Sequence, residues 1–339
     1  MPAHLKALAV LLVVGAVVFA FAKSPACAMA STTGDFERRR NLWFGVTLAA
    51  FLAHNFWIYI AIAAALILAS ARAESNKLAM FFFVLLAVPR IFGEIPGFGL
   101  VNYLFEIDYV RLLTLTVLLP SFLALRVQPD VERFGRSLPD KLIAAYLILD
   151  PLLMLTYAPL TTVLRQGVFY GFVDIFLPYY VASRALRNLQ DFRDALMAFV
   201  VAALMLSATG AFEVAWRWLL YSGLDNILGG KWGFGVPLMR GDNLRAAGST
   251  GQAIPMGYAV AVAMGFFLYL RKLVPNPIMR GLGLLLLAVG LVAPLSRGPW
   301  IGAAAMLLLY AATGPAPMLR FARLGLLGRS RPTSLRRSK

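Results

Sequence analysis

Cysteine occurs once in this 339-residue chain, at Cys27, and histidine only twice, at His4 and His54. A single thiol excludes an internal disulfide and any cysteine-based metal cluster. The two histidines stand far apart, so a helical H-E-x-x-H pair is absent and the inventory argues against metal chemistry. Charge is scarce too, at 14% of residues, and acidic charge most of all, with 16 Asp and Glu against 32 Lys and Arg. A formal charge of +16 raises nucleic acid as a partner, but Arg320, Arg323, Arg329, Arg331, Arg336, Arg337 and Lys339 crowd the last stretch without one acid. Beside a membrane such a cluster reads as a cytoplasmic flank, not as a nucleic-acid arm.

What the chain has in abundance is apolar sequence: 60% of residues are hydrophobic, against roughly 45–50% in soluble domains, and the mean hydropathy is +0.75. Crossing a bilayer takes about 20 such residues in a helix. Apolar segments near 5–22, 42–69, 78–93, 109–125, 142–158, 168–183, 196–218, 254–270, 281–295 and 298–314 predict an all-α polytopic membrane protein of about ten spans. Residues 1–318 read as one membrane domain and 319–339 as a basic tail.

The connections RVQPDVERFGRSLPDK, RALRNLQDFR and RKLVPNPIMR are rich in Arg and Lys, which places them in the cytoplasm with the tail. Alternation then puts both termini inside. It puts the 93–108 segment, the Arg165 turn, the 219–253 loop and the Ser296-Arg297-Gly298 turn outside. FERRRN at 36–41 lands outside as well, against the rule. The first segment also offers a basic start, an apolar stretch and the small residues ACAMA, as in a secretory cleavage site; retention as the first span is the reading taken.

Three carboxylates lie in apolar segments: Asp150, Asp174 and Glu213. Ionisable groups at membrane depth default to functional or bundle-interior positions, and pairing with a neighbouring Arg or hydroxyl competes with a proton-relay or substrate role. The 219–253 loop carries eight glycines from Gly223 to Gly251 and the cations Lys231, Arg240 and Arg245. A loop of that length in a tightly connected bundle is usually functional. Arg297, between Ser296 and Gly298-Pro299, presents a planar fork of donors suited to phosphate oxygens at the start of a helix.

RAAGSTGQAIPMGYAVAVAM followed by PLSRGPWIGA resembles the signature region of the O-antigen ligase and O-antigen polymerase superfamily. The upstream stretches EIPGFGLVNYLFEIDYVRLLTLTVLLP and GFVDIFLPYYVASRALRNLQDF resemble its exopolysaccharide-associated branch. The resemblance covers roughly 36–325. It implies a bacterial inner-membrane protein that joins a glycan from an undecaprenyl-diphosphate carrier to an acceptor glycan or glycolipid at the periplasmic face. It also implies no cofactor and no metal. By motif position, Arg297 and Arg245 correspond to the family's phosphate-contacting arginines, the expected catalytic pair, with Arg240, Arg165 and Lys231 as supporting substrate-binding cations.

One departure stands out: the family's general-base histidine follows the Ser-Arg-Gly helix, and this chain has no histidine after His54. With the change to a basic, Ser- and Pro-containing tail after RLGLLG, this suggests a frameshift near Gly328 and an inactive, truncated member. The competing function class is a lipid-linked glycan transporter or flippase, or a non-catalytic assembly subunit. Cations along a passage, instead of at one face, would favour the transporter.

Overall fold

The computed structural model describes residues 2–97, 103–231 and 236–313. The basic tail at 319–339 and the proposed frameshift junction lie outside the described residues. Helices dominate. In chain order they are α1 (Ala3–Met29), α2 (Thr33–Leu52), α3 (Phe56–Ala73), α4 (Lys77–Val84), α5 (Tyr109–Arg126), α6 (Leu138–Met154), α7 (Leu160–Ala185), α8 (Leu189–Trp216), α9 (Ala253–Leu270), α10 (Pro277–Val292) and α11 (Arg297–Ala312). Among the described residues there are also a short helix at Leu224–Leu228 and two small antiparallel hairpins: β1 (Phe92–Pro96) with β2 (Tyr103–Asp108), and β3 (Met239–Arg240) with β4 (Asn243–Leu244).

Among the described residues, six helical stretches are long and apolar enough to cross a membrane: α1, α3, α5, α7, α8 and α9 with its extension to Leu273. The expected ten is therefore too many by this measure. α2 carries Asp35, Glu37 and Arg38–Arg40 in its first half. α10 and α11 have 16 residues each and α6 has 17; at 1.5 Å per residue these reach about 24–26 Å, short of the ~30 Å hydrocarbon core.

Local chemistry sets the boundaries. The side chains of Thr32, Asn55, Asn76, Ser137, Asn188 and Asn276 each accept a backbone amide at a helix start, satisfying donors that have no partner within the helix. The turns Thr114–Leu118 in α5 and Val163–Phe176 in α7 widen to i→i+5 bonding. Each lies just ahead of a proline, Pro120 or Pro178, whose missing N–H disturbs the regular ladder.

The long helix α8 is the axis of the bundle, packed by α1, α4, α9 and α10. It approaches α10 so closely that a Cβ on Gly290 would lie 2.1 Å from the Ser207 hydroxyl. Likewise, a Cβ on Gly257 of α9 would meet the Pro299 ring of α11 at 2.6 Å. Small residues at such crossings give close van der Waals packing, which drives association where lipid is as apolar as the helix surface.

The most consequential feature is a break inside the 42–69 segment. α2 ends at Leu52 and α3 starts at Phe56, with His54 in the left-handed region at φ 50°. The apolar run is thus an antiparallel pair of helices instead of one continuous helix. The His4 ring faces the His54 ring, Phe51 faces Tyr221, Tyr221 Oη donates to the Ala87 carbonyl, and Arg245 reaches Pro294. These contacts gather the start of α1, the 53–55 turn, the β1–β2 hairpin, the 217–252 segment and the 293–297 turn at one end.

The opposite end holds Ser31, Arg39, Glu74 and Asp194, and Asn76 bound to the Asp191 carbonyl. Phe192 against Tyr269 and Arg271 over Tyr310 extend it to the end of α11. The start of α1 and the end of α11 therefore lie at opposite ends of the bundle. The expected cytoplasmic C-terminal tail itself lies outside the described residues.

Candidate functional site

Three of the five sequence-predicted cations converge on the 293–297 turn. The β3–β4 hairpin and the chain after it lie across the turn, with the Ala246 amide on the Ala293 carbonyl at 3.1 Å. Arg245 Nε donates to the Pro294 carbonyl at 3.0 Å, and Arg240 donates to the Leu295 carbonyl. Leu295 has φ 48°, a costly conformation for a non-glycine residue that these bonds hold in place. Trp300 Nε1 closes the turn on the Leu291 carbonyl at 2.9 Å.

Arg297 is the first residue of α11; its side chain is exposed and makes no hydrogen bond or ion pair among the described residues. Ser296 caps α11 by position but its side chain bonds no helix amide, and the amides of Arg297 and Gly298 have no hydrogen-bond partner among the described residues. Open N-terminal amides and the helix dipole favour an anion. Arg240 and Arg245 each spend one donor on a carbonyl, which leaves donors of their forks for a ligand.

The loop that supplies Arg240 and Arg245 is pinned from below by Glu213. This fully buried carboxylate accepts three backbone amides: Leu220 at 3.1 Å, Ala247 at 3.0 Å and Gly248 at 2.9 Å. Ser249 Oγ adds a bond to the Leu86 carbonyl at 2.6 Å, and Arg217, at φ 51°, turns the chain out of α8. These bonds anchor Leu220 and the 247–249 stretch to α8 and to the chain before β1.

Lys231 and Arg165 take other places. Lys231 ion-pairs with Glu94 at 2.7 Å while its backbone bridges Phe92. Arg165 donates to the Tyr103 carbonyl at 3.1 Å, with its guanidinium 3.8 Å from the Tyr103 ring centre. Burial, with Glu106 adding to it against the pull of Arg165, holds the Tyr103 hydroxyl above its ordinary range. Both cations thus serve the β1–β2 hairpin, and neither is bonded to the arginine turn.

Of the apolar-segment carboxylates, Asp174 pairs with Arg111 at 3.0 Å as the pairing expectation has it. Glu213 departs from that expectation, since backbone amides replace an arginine or hydroxyl. Sequence reasoning missed Arg39, which lies in FERRRN. It is 1% exposed, bound to Glu74 at 2.7 Å and to Asp194 at 2.8 Å, and ties α2, the α3–α4 junction and α8 together. It also missed the meeting of His4 and His54; the only local signal was Asn55, a helix-starting residue, directly after His54.

A cleft of about 440 Å³ between the 130–140 segment and Tyr179–Arg187 lies at the opposite end. Its Arg184 is already taken by Asp140 at 2.8 Å, so it competes poorly with the turn for an anion.

Fold and site together define a helical, membrane-type protein with a cationic turn at one end of the bundle. No family model, curated protein or solved structure matches this chain.

Proposed function

We propose that the chain is an O-antigen-ligase-like protein of a bacterial inner membrane. In this reading it binds an undecaprenyl-diphosphate-linked glycan at the outer face and serves its transfer or polymerisation onto an acceptor glycan or glycolipid. The observation that carries this reading is the convergence of Arg240, Arg245 and exposed Arg297 on the start of α11. A diphosphate leaving group gathers negative charge as its bond to the sugar breaks, and fixed cations at that position stabilise the transition state more than the ground state.

Orientation follows from charge. The end bearing Arg38–Arg40, Arg126, Arg133, Arg136, Arg187, Arg271 and Lys272 is assigned to the cytoplasm, which puts the arginine turn outside. With the hairpin break at 53–55, FERRRN falls on the cytoplasmic side and the exception to the rule disappears. The start of α1 then lies outside. A transporter draws its support from unpaired intramembrane carboxylates: Asp174 and Glu213 are both engaged, while Asp150 makes no hydrogen bond or ion pair among the described residues and keeps that reading as the alternative.

The test is binding of purified polyprenyl diphosphate to the detergent-solubilised full chain. Arg297→Ala removes charge-assisted hydrogen bonds of roughly 1.5–3 kcal/mol, so affinity falls about 10- to 150-fold. Unchanged affinity in that variant would leave Arg297 as an interfacial side chain only and remove the basis of the proposal.

A further inference from the structure

The chain's only two histidines meet. His4, on the first turn of α1, and His54, in the turn between α2 and α3, have ring centres 5.8 Å apart with planes at 83°. Nothing in the membrane-crossing pattern requires this. His54 holds a left-handed backbone at φ 50°, and strained residues of this kind persist where the surroundings fix them, often at functional positions. Its Nδ1 lies 2.8 Å from the Leu52 carbonyl. In the neutral ring that contact takes the proton on Nδ1 and leaves the Nε2 lone pair free. A backbone carbonyl on the far nitrogen is the usual partner of a metal-binding imidazole, fixing its tautomer and raising its basicity.

We propose that His4 and His54 form a two-histidine site for a borderline transition-metal cation of the Zn²⁺, Ni²⁺ or Cu²⁺ type. The site lies at the same end of the bundle as the arginine turn and is separate from it. Imidazole suits these ions and gives no advantage to Mg²⁺ or Ca²⁺, which take oxygen ligands. With metal–nitrogen bonds of about 2.1 Å, a shared ion holds two ring centres roughly 5–6 Å apart, and the 5.8 Å found here falls in that range. Among the described residues no group of three or more His, Cys, Asp or Glu is placed to hold a metal, so water completes the coordination. His54 is exposed and His4 half-buried, which gives the ion access. The bound ion cross-links the start of α1 to the α2–α3 turn.

The experiment uses the full chain in detergent, purified through a tag free of histidine and stripped with chelator. It is titrated with ZnCl₂ alone, and in parallel with CuCl₂ for electron paramagnetic resonance. One Zn²⁺ per chain is expected, with affinity at least tenfold weaker in both His4→Gln and His54→Gln. The copper spectrum should carry coupling to two imidazole nitrogens, and Zn²⁺ should raise the thermal midpoint of the unaltered chain only, since a ligand bound to the folded state alone stabilises it. Absence of saturable binding, or binding unchanged in both variants, overturns the site. Coupling to one nitrogen overturns the shared ion.

Discussion

Glu213 is the residue whose removal should disturb the arginine turn without touching it. Its carboxylate accepts the amides of Leu220, Ala247 and Gly248 at 2.9–3.1 Å, and the side chain is fully buried. Glu213→Ala leaves those donors facing a small cavity. Each buried donor left unmade costs about 1–3 kcal/mol, and water entering the cavity recovers part, so a net loss of about 3–5 kcal/mol is expected. Glu213→Gln keeps one oxygen. The best orientation serves Ala247 and Gly248 and turns the amide NH₂ toward Leu220, for a loss of about 1–3 kcal/mol.

The assay is thermal unfolding in detergent, with limited proteolysis within 217–252 as a second readout. The midpoint should fall in the order wild type, Gln, Ala, and cleavage in the loop should accelerate in the same order. Arg240 and Arg245 ride on that loop, so diphosphate binding should weaken in parallel. An alanine variant as stable and as protease-resistant as the wild type would refute the pinning argument.

Arg39→Ala should cost about 3–5 kcal/mol, because it strands Glu74 and Asp194 as buried charges; the thermal midpoint reads this, and a loss under 1 kcal/mol would place the network in solvent contact. Gly257→Leu should force α9 and α11 apart at Pro299, costing about 1–3 kcal/mol and weakening ligand binding at Arg297, as checked by thermal unfolding and titration. In a Cys27→Ala background, Gly34→Cys and Gln190→Cys should resist an impermeant maleimide added to intact cells while Asn226→Cys reacts. Reaction at position 34 would contradict the helix hairpin.

The sequence made the helical, membrane-type character plain, because apolar runs in α1, α8 and α9 leave no other use for their composition. It also located the cationic turn, since Arg297 between Ser296 and Gly298 interrupts an apolar run. The break at Ala53–Asn55 was hidden because hydropathy is continuous across LAAFLAHNFWIYIA, and a cap is a matter of one side chain, Asn55. That single miss merged α2 and α3 into one helix and hid that FERRRN and the start of α1 lie at opposite ends of the bundle. Glu213 could be seen as important but not understood. Its partners are backbone amides 34 and 35 residues along the chain, and the fold of the intervening loop leaves no residue pattern to read. Lys231 and Arg165 looked equivalent to Arg240 by charge and position in the sequence, and only the β1–β2 hairpin separates them, through Glu94 and Tyr103.

The central claim, that the arginine turn recognises a lipid diphosphate, is tested most directly by comparing Arg297→Lys with Arg297→Ala in polyprenyl-diphosphate binding at fixed ionic strength. A guanidinium fork holds phosphate oxygens with two parallel bonds, whereas an ammonium keeps the charge and loses that match. The account predicts an affinity loss of about tenfold for Lys, from one charge-assisted bond, and a larger loss for Ala. Wild-type affinity in both variants would contradict it.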